Sequence, residues 1–488
     1  MDRRAFLETS TLAAGSAMLG EIAVTRARAE APMVGIQVGA VSFVDEGTDA
    51  VLDRLEEAAG INTLFLATFT YGRGIGGRQL RGQPLPDHGR QEYDDDFRGG
   101  NFATPHPQYY RTTSIAPEKA PDHPGYDVIA DVLPAARRRR MKVVCWFEDV
   151  FRRDVPGFEQ AAEIDVHGEP TGLACHRNPN TRNFWLALVE DYLRSYDVDG
   201  LMWGSERQGP LDNALGANHG GATARVACFC RYCLDAARKA GINGDRAREG
   251  YLELERWAAG LRAGRRPADG AFVTFWRLLV RYPELLAWEH LWNEGLKDTY
   301  RDLHGVAHAI APAKDIGWHI WHNNSFSPFY RAEHDYEEFA GYSDFVKVVM
   351  YNNCGGPRLT QYVRNVHGTL FADLTPEQIL DLTYGVQQYR ERPLDRIPEE
   401  GLSADYVLRE TRRAVAGAGP RLKIWPGIDI DIPTGPTEKK TNPDDVYHAV
   451  KAAFQGGARG VLLSRKYSEM KLANLRAAGR AVHELEPA

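Results

Sequence analysis

The chain has 488 residues, of which 43% are apolar, 26% charged and 10% aromatic. That mixture excludes a disordered or fibrous chain. The formal net charge of −7 argues against non-specific nucleic-acid binding.

The chain opens Met1-Asp2-Arg3-Arg4-Ala5-Phe6-Leu7, continues in a weakly apolar run from Leu12 to Ala23, and then reads Ala27-Arg28-Ala29. Paired arginines, a mild apolar stretch and an Ala-x-Ala site resemble a twin-arginine export signal. Residues 1–29 are therefore expected to be removed, leaving Glu30 to Ala488 as one domain in the periplasm or outside the cell. The export machinery is the expected partner, and it carries proteins already folded, with any metal loaded. No run of 18 apolar residues follows, so no membrane span is expected in the mature chain.

From residue 30 onward, β-branched runs alternate with amphipathic stretches. Strands are expected at Val34–Phe43, Asn62–Phe69, Lys142–Phe147, Gly200–Gly204, Ile316–Trp321, Phe345–Tyr351, Leu422–Ile430 and Gly460–Ser464. Helices are expected at Asp49–Ala59, Tyr126–Arg140, Asn183–Tyr196, Leu296–Ala311, Ala404–Ala418, Asp444–Gln455 and Met470–Glu484. Eight strands alternating with helices predict an α/β fold, the (β/α)8 TIM barrel. The extra length sits after strands 2, 4 and 6, and the longest piece, about 207–294, is expected to be a helical insertion. Loops that follow strands line the mouth of such a barrel.

The strand ends carry the chemistry. Strand 3 ends on Glu148, and strand 4 on Trp203, Ser205, Glu206 and Arg207. Strand 5 ends on His319, Trp321, His322 and Asn323, and strand 6 on Lys347, Tyr351 and Asn352. Strand 7 ends on Asp429 and Asp431, and strand 8 on Arg465. Indoles cover the apolar faces of pyranose rings, while amides, imidazoles and carboxylates bond their hydroxyls. Glycosidic cleavage needs two carboxyl groups, one to protonate the leaving oxygen and one to attack or to activate water. Glu206 is the expected acid/base and Asp429 its partner. Glu148, Trp203, His319, Trp321, His322, Asn323, Tyr351, Asn352, Asp431 and Arg465 are expected to contact a carbohydrate substrate. The loop after strand 2, with Tyr71, Tyr93, Asp94, Asp95, Asp96, Tyr109 and Tyr110, is expected to supply outer subsites or to be a solvated loop with packing tyrosines. Two other classes fit the same lists. One is a barrel that binds glycans without cleaving them. The other is a sugar lyase or epimerase using Lys347, His319 and Tyr351 as bases.

Cys228, Cys230 and Cys233 place three thiols within six residues. Such spacing suits tetrahedral Zn²⁺, with Cys175 as the fourth ligand, and four thiolates leave no open position, so the ion is expected to be structural. A disulfide with free thiols is the alternative reading. Cys145 is expected to be a buried strand residue. No organic cofactor is expected.

Two segments resemble glycoside hydrolase family 42 of clan A: Cys175-His176-Arg177-Asn178-Pro179-Asn180-Thr181-Arg182 before strand 4, and the Cys-x-Cys-x-x-Cys run after it. The resemblance implies a zinc cluster on these cysteines, an acid/base at Glu206 and a nucleophile at the end of strand 7. Ser205 stands where that family has Asn, and Asp429 where it has Glu. The specific match lies around strand 4, and β-galactosidase activity does not follow from it.

Overall fold

Eight parallel strands close into a barrel in the computed structural model, which describes residues 31–220 and 225–485. They are β1 (Met33–Gly39), β2 (Thr63–Thr70), β3 (Lys142–Glu148), β4 (Gly200–Gly204), β5 (Asp315–Ile320), β6 (Phe345–Val349), β7 (Lys423–Asp429) and β8 (Gly460–Ser464). Each pairs with the next, and β8 pairs with β1 to close the ring. A two-residue strand, Gly100–Asn101, adds antiparallel to β2. The export segment and its cleavage site lie outside the described residues. The chain divides at Pro32, and Met33–Ala488 is the barrel unit. Among the described residues no helix is long and apolar enough to cross a membrane.

The two faces of each strand bury different partners. Phe65, Val144, Trp146, Met202, Phe345 and Leu462 form an apolar cluster inside the ring. Phe65 meets Phe345 edge-on at 6.0 Å although β2 and β6 are not neighbours, so the contact crosses the interior. The alternate residues, such as Leu64, Leu66, Cys145, Phe147, Leu201 and Trp203, belong to the larger core under the helices. Strands buried on both faces explain the near-continuous apolar runs.

Beyond shifts of one or a few residues at element ends, three features differ from the sequence reading. The first strand stops at Gly39, and Ala40–Glu46 is helical, its buried face supplied by Ala40, Val41 and Phe43. The return helix before β5 begins at Glu284 rather than Leu296, so the insertion after β4 ends earlier than expected. It comprises helices Pro210–Leu215, Arg231–Lys239, Gly244–Arg262 and Ala271–Arg281. The loop after β3 is also long and carries an unforeseen antiparallel hairpin, Ala162–Ile164 with Pro170–Ala174.

Candidate active site

The strand registers align Glu148, Gly204, His319 and Lys347 in one row across β3 to β6. Glu148 shares its strand face with Val144 and Trp146, and Lys347 shares its own with Phe345, so the row looks into the barrel one step above the apolar plug. Glycines make room for it. A Cβ on Gly427 of β7 would stand 2.6 Å from Cε of Lys347.

Glu206 lies two residues beyond β4, and its side chain is 53% exposed in the mouth. Its Oε1 is 2.7 Å from His319 Nε2. On the other side of the imidazole, Lys347 Nζ is 3.1 Å from His319 Nδ1 and donates to the Tyr351 hydroxyl at 2.6 Å. An ionised carboxylate can only accept, so Nε2 carries the hydrogen given to Glu206, and Nδ1 accepts from Lys347. The network assigns that tautomer.

The electrostatics separate the two carboxyls. Burial raises the Glu206 carboxyl, but the hydrogen bond from His319 and the charges of Arg358 and Lys347 outweigh it and hold the group below the usual range. Burial, with the charge of Glu206, pushes Glu148 up to about 7, and the Thr70 hydroxyl at 3.1 Å offsets this only in part. Burial lowers Lys347 to about 7 against the pull of both glutamates. Burial and the Lys347 charge lower His319 to about 4, so its ring is neutral at pH 7.

A cavity of about 490 Å³ opens beside Glu206, lined also by Trp321, Gln208, Asn213, Asn218 and Arg153. Trp321 is half-buried and offers an indole there. Arg207 does not pair with Glu206. It is buried against Asp149 at 3.0 Å, Glu163 of the hairpin at 2.5 Å and the Ala174 carbonyl at 2.7 Å.

Several expected contact residues are braces instead. Asp429, expected to be the second catalytic carboxyl, has no exposed surface. Its oxygens accept from the Cys354 amide at 2.8 Å and the Ile432 amide at 3.4 Å, which tie the loop after β6 to the end of β7. Trp203 faces outward, fully buried against Trp185, Tyr300 and His176, because inward-facing Met202 and Gly204 flank it. Asp431 turns away and accepts from the Lys471 amide and the Asn474 side chain at the start of the last helix, Leu472–His483.

His322 is buried, bonded to Tyr406 and Arg358. Asn323 is buried, donating to Gln208 and the Ala217 carbonyl. Asn352 is also buried, its backbone carbonyl accepting from the Leu402 amide. Arg465 bridges the Gly74 carbonyl and Glu469. In the loop after β2, Tyr71 and Tyr110 are buried packing residues, not subsites. Arg358, on the helix Gly355–His367, was not legible as a site residue; no motif marks it, and only the fold brings its charge toward Glu206.

All six cysteines are free and buried. The sulfurs of Cys175, Cys228, Cys230 and Cys233 converge within 4.8 Å, with Cys175 at 3.5 Å from Cys230 and 3.6 Å from Cys233. Four thiolates about 2.3 Å from a tetrahedral ion stand about 3.8 Å apart, so the donor set fits Zn²⁺. The amides of Ile164 and Cys230 point at Cys228 Sγ, each at 3.4 Å, and such donors favour thiolate.

No protein-family model and no curated protein sequence matches the chain. Similar solved structures include α-L-fucosidase isoenzyme 2 from Paenibacillus thiaminolyticus, at a TM-score of 0.48 and 11% identity, covering 93% of this chain and 49% of that one. A β-galactosidase from Halorubrum lacusprofundi gives 0.48 and 14%, over 90% and 56%. A family 42 β-galactosidase from G. stearothermophilus gives 0.46 and 11%, over 94% and 58%. The chain thus spans about half the length of these glycoside hydrolases. Likeness at this distance says nothing of its activity.

Proposed function

We propose that the chain is an exported glycoside hydrolase acting on an oligo- or polysaccharide. The observation that carries this reading is a pair of glutamates in one barrel mouth, Glu148 ending β3 and Glu206 just past β4, with Glu206 half exposed and bonded to His319. Glu148 holds its proton toward neutral pH and is the general acid. Glu206 is ionised and half exposed at the cavity, so it is the nucleophile, or the base that activates water. This reverses the role expected of Glu206 and replaces Asp429 with Glu148. His319 orients Glu206 by its hydrogen bond, and Lys347 fixes the tautomer that makes that bond. Trp321 lies where a sugar face would stack.

We also propose that Cys175, Cys228, Cys230 and Cys233 hold a structural Zn²⁺. Bound there, the ion cross-links the loop after β3 to the insertion after β4; a site closed by four thiolates offers no position for substrate. Export by the twin-arginine route rests on the N-terminal residues alone.

The test is release of reducing sugar from a panel of glycans and aryl glycosides by residues 30–488. Glu206→Gln and Glu148→Gln are each expected to lower release by about 10²–10⁴-fold, the worth of a positioned acid or base. Anomeric NMR of the first product then distinguishes retention from inversion. Undiminished release by either variant overturns the assignment of that residue. An unsaturated product absorbing in the near ultraviolet overturns hydrolysis itself.

A further inference from the structure

A second group of metal-type ligands lies away from the mouth. His304 and His308 are four residues apart on the helix Glu284–Ile310 and so share one face of it. Their ring centroids are 4.2 Å apart. Both rings reach Asp344, which immediately precedes β6. Nε2 of His308 is 2.9 Å from Asp344 Oδ2, and Nε2 of His304 is 3.7 Å from the same oxygen. One ligand atom from each of the three falls within 4.8 Å of the others.

Two features distinguish this from a chance surface cluster. The carboxylate is anchored, since Asp344 Oδ2 also accepts from the Ile316 amide of β5 at 2.8 Å. Such an outer bond fixes a ligand's direction. The spacing is also right. Two ligands each about 2.0–2.1 Å from a tetrahedral ion stand about 3.4 Å apart; the His304–Asp344 separation of 3.7 Å is close to that value, and the 2.9 Å His308–Asp344 contact is a hydrogen bond that a bound ion would replace. All three side chains are between 23% and 28% exposed, so an ion and its water have access.

We propose that His304, His308 and Asp344 form a second metal site, which takes a divalent transition ion such as zinc with water completing its shell. Two imidazoles and one carboxylate suit borderline ions rather than calcium or magnesium, which prefer all-oxygen shells. Asp344 and Ile316 stand at the N-terminal ends of β6 and β5, the face of the barrel opposite the mouth. A site on that face serves stability rather than chemistry. The ion pins the long return helix to the starts of two strands, and it does so whatever the enzyme's substrate.

The test counts bound zinc. Untagged full-length protein is dialysed against a small excess of zinc and freed of unbound metal, and its content is read by plasma mass spectrometry. His304→Gln and His308→Gln are measured alongside it. His304 makes no contact with Asp344 closer than 3.7 Å, so its variant is expected to fold even if the His308 variant does not. Wild type is expected to hold one more equivalent than His304→Gln, whatever the cysteine cluster holds in both. Equal zinc in wild type and His304→Gln overturns the proposal.

Discussion

Glu148 and Glu206 are the same residue type on adjacent strand ends, and their surroundings divide them. Glu148 is pushed to about 7 by burial and by its charged neighbour, whereas Glu206 receives a hydrogen bond from His319. The consequence is measurable in stability. A folded-state carboxyl raised from the ordinary 4.5 to about 7 binds a proton that the unfolded chain has already released, so stability falls as pH rises through that window. Glu148→Gln removes this term. Its melting temperature is expected to exceed that of wild type at pH 8 and to vary less between pH 5 and 8. The wild-type kcat/KM is expected to decline above about pH 7 as the acid is lost. A variant melting temperature below that of wild type at pH 8 would count against a Glu148 carboxyl raised by burial. Much of this site was legible from residue types at strand ends, because His319 lies in the last two residues of its strand and Glu206 and Trp321 fall within two residues of the ends of theirs. Side-chain direction was not. Trp203 is an indole beside Glu206 in sequence, yet strand alternation sends it outward because Gly204 faces in. That parity is fixed only once one inward residue is known.

Elements were legible where their apolar period was long and clean. The buried runs of β2 through β8 read directly as strands, and only their ends shifted. The helix Ala40–Glu46 was absorbed into the first strand because Val41 and Phe43 alternate as strand residues do over so short a span. The hairpin after β3 was missed because its three- and five-residue strands carry little apolar pattern. Asp431 was misplaced for a related reason. It stands two residues past Asp429, but its backbone has turned to φ 57° and carries its carboxylate to the last helix. There it satisfies the amide of Lys471 and so caps the helix start. Asp431→Ala is expected to cost about 1–3 kcal/mol, from the lost cap and from a Cβ without a compensating bond at positive φ. Chemical denaturation checks this, with kcat unchanged for whatever substrate the enzyme turns over.

For the whole molecule, the count of eight strands alternating with helices predicted the closed barrel because connections in such folds are sequential and local. The insertions did not obscure it, since each is confined between one strand and its return helix. Two predictions concern the intact chain. In a bacterial host the protein is expected to appear outside the cytoplasm with Glu30 as its first residue by mass spectrometry, and replacing Arg3 and Arg4 with Lys is expected to retain it inside. Purified protein is expected to carry a zinc ion that Cys228→Ser loses. Removal of that ion by a chelator lowers the melting temperature, because binding energy at a structural site is folding energy.

Arg207 links the strand-4 end to the cysteine-bearing segments. It is the residue next to Glu206, and it is fastened to the hairpin through Glu163 and to the segment leading to Cys175 through the Ala174 carbonyl. The backbone beside the proposed catalytic carboxylate is thus held from the periphery, one peptide away from the cysteine-bearing segments. On the proposed reading, oxidation of the four thiols is expected to lower turnover before it lowers the circular dichroism of the barrel, so a sample judged intact by its spectrum is no guide to how many of its molecules still work.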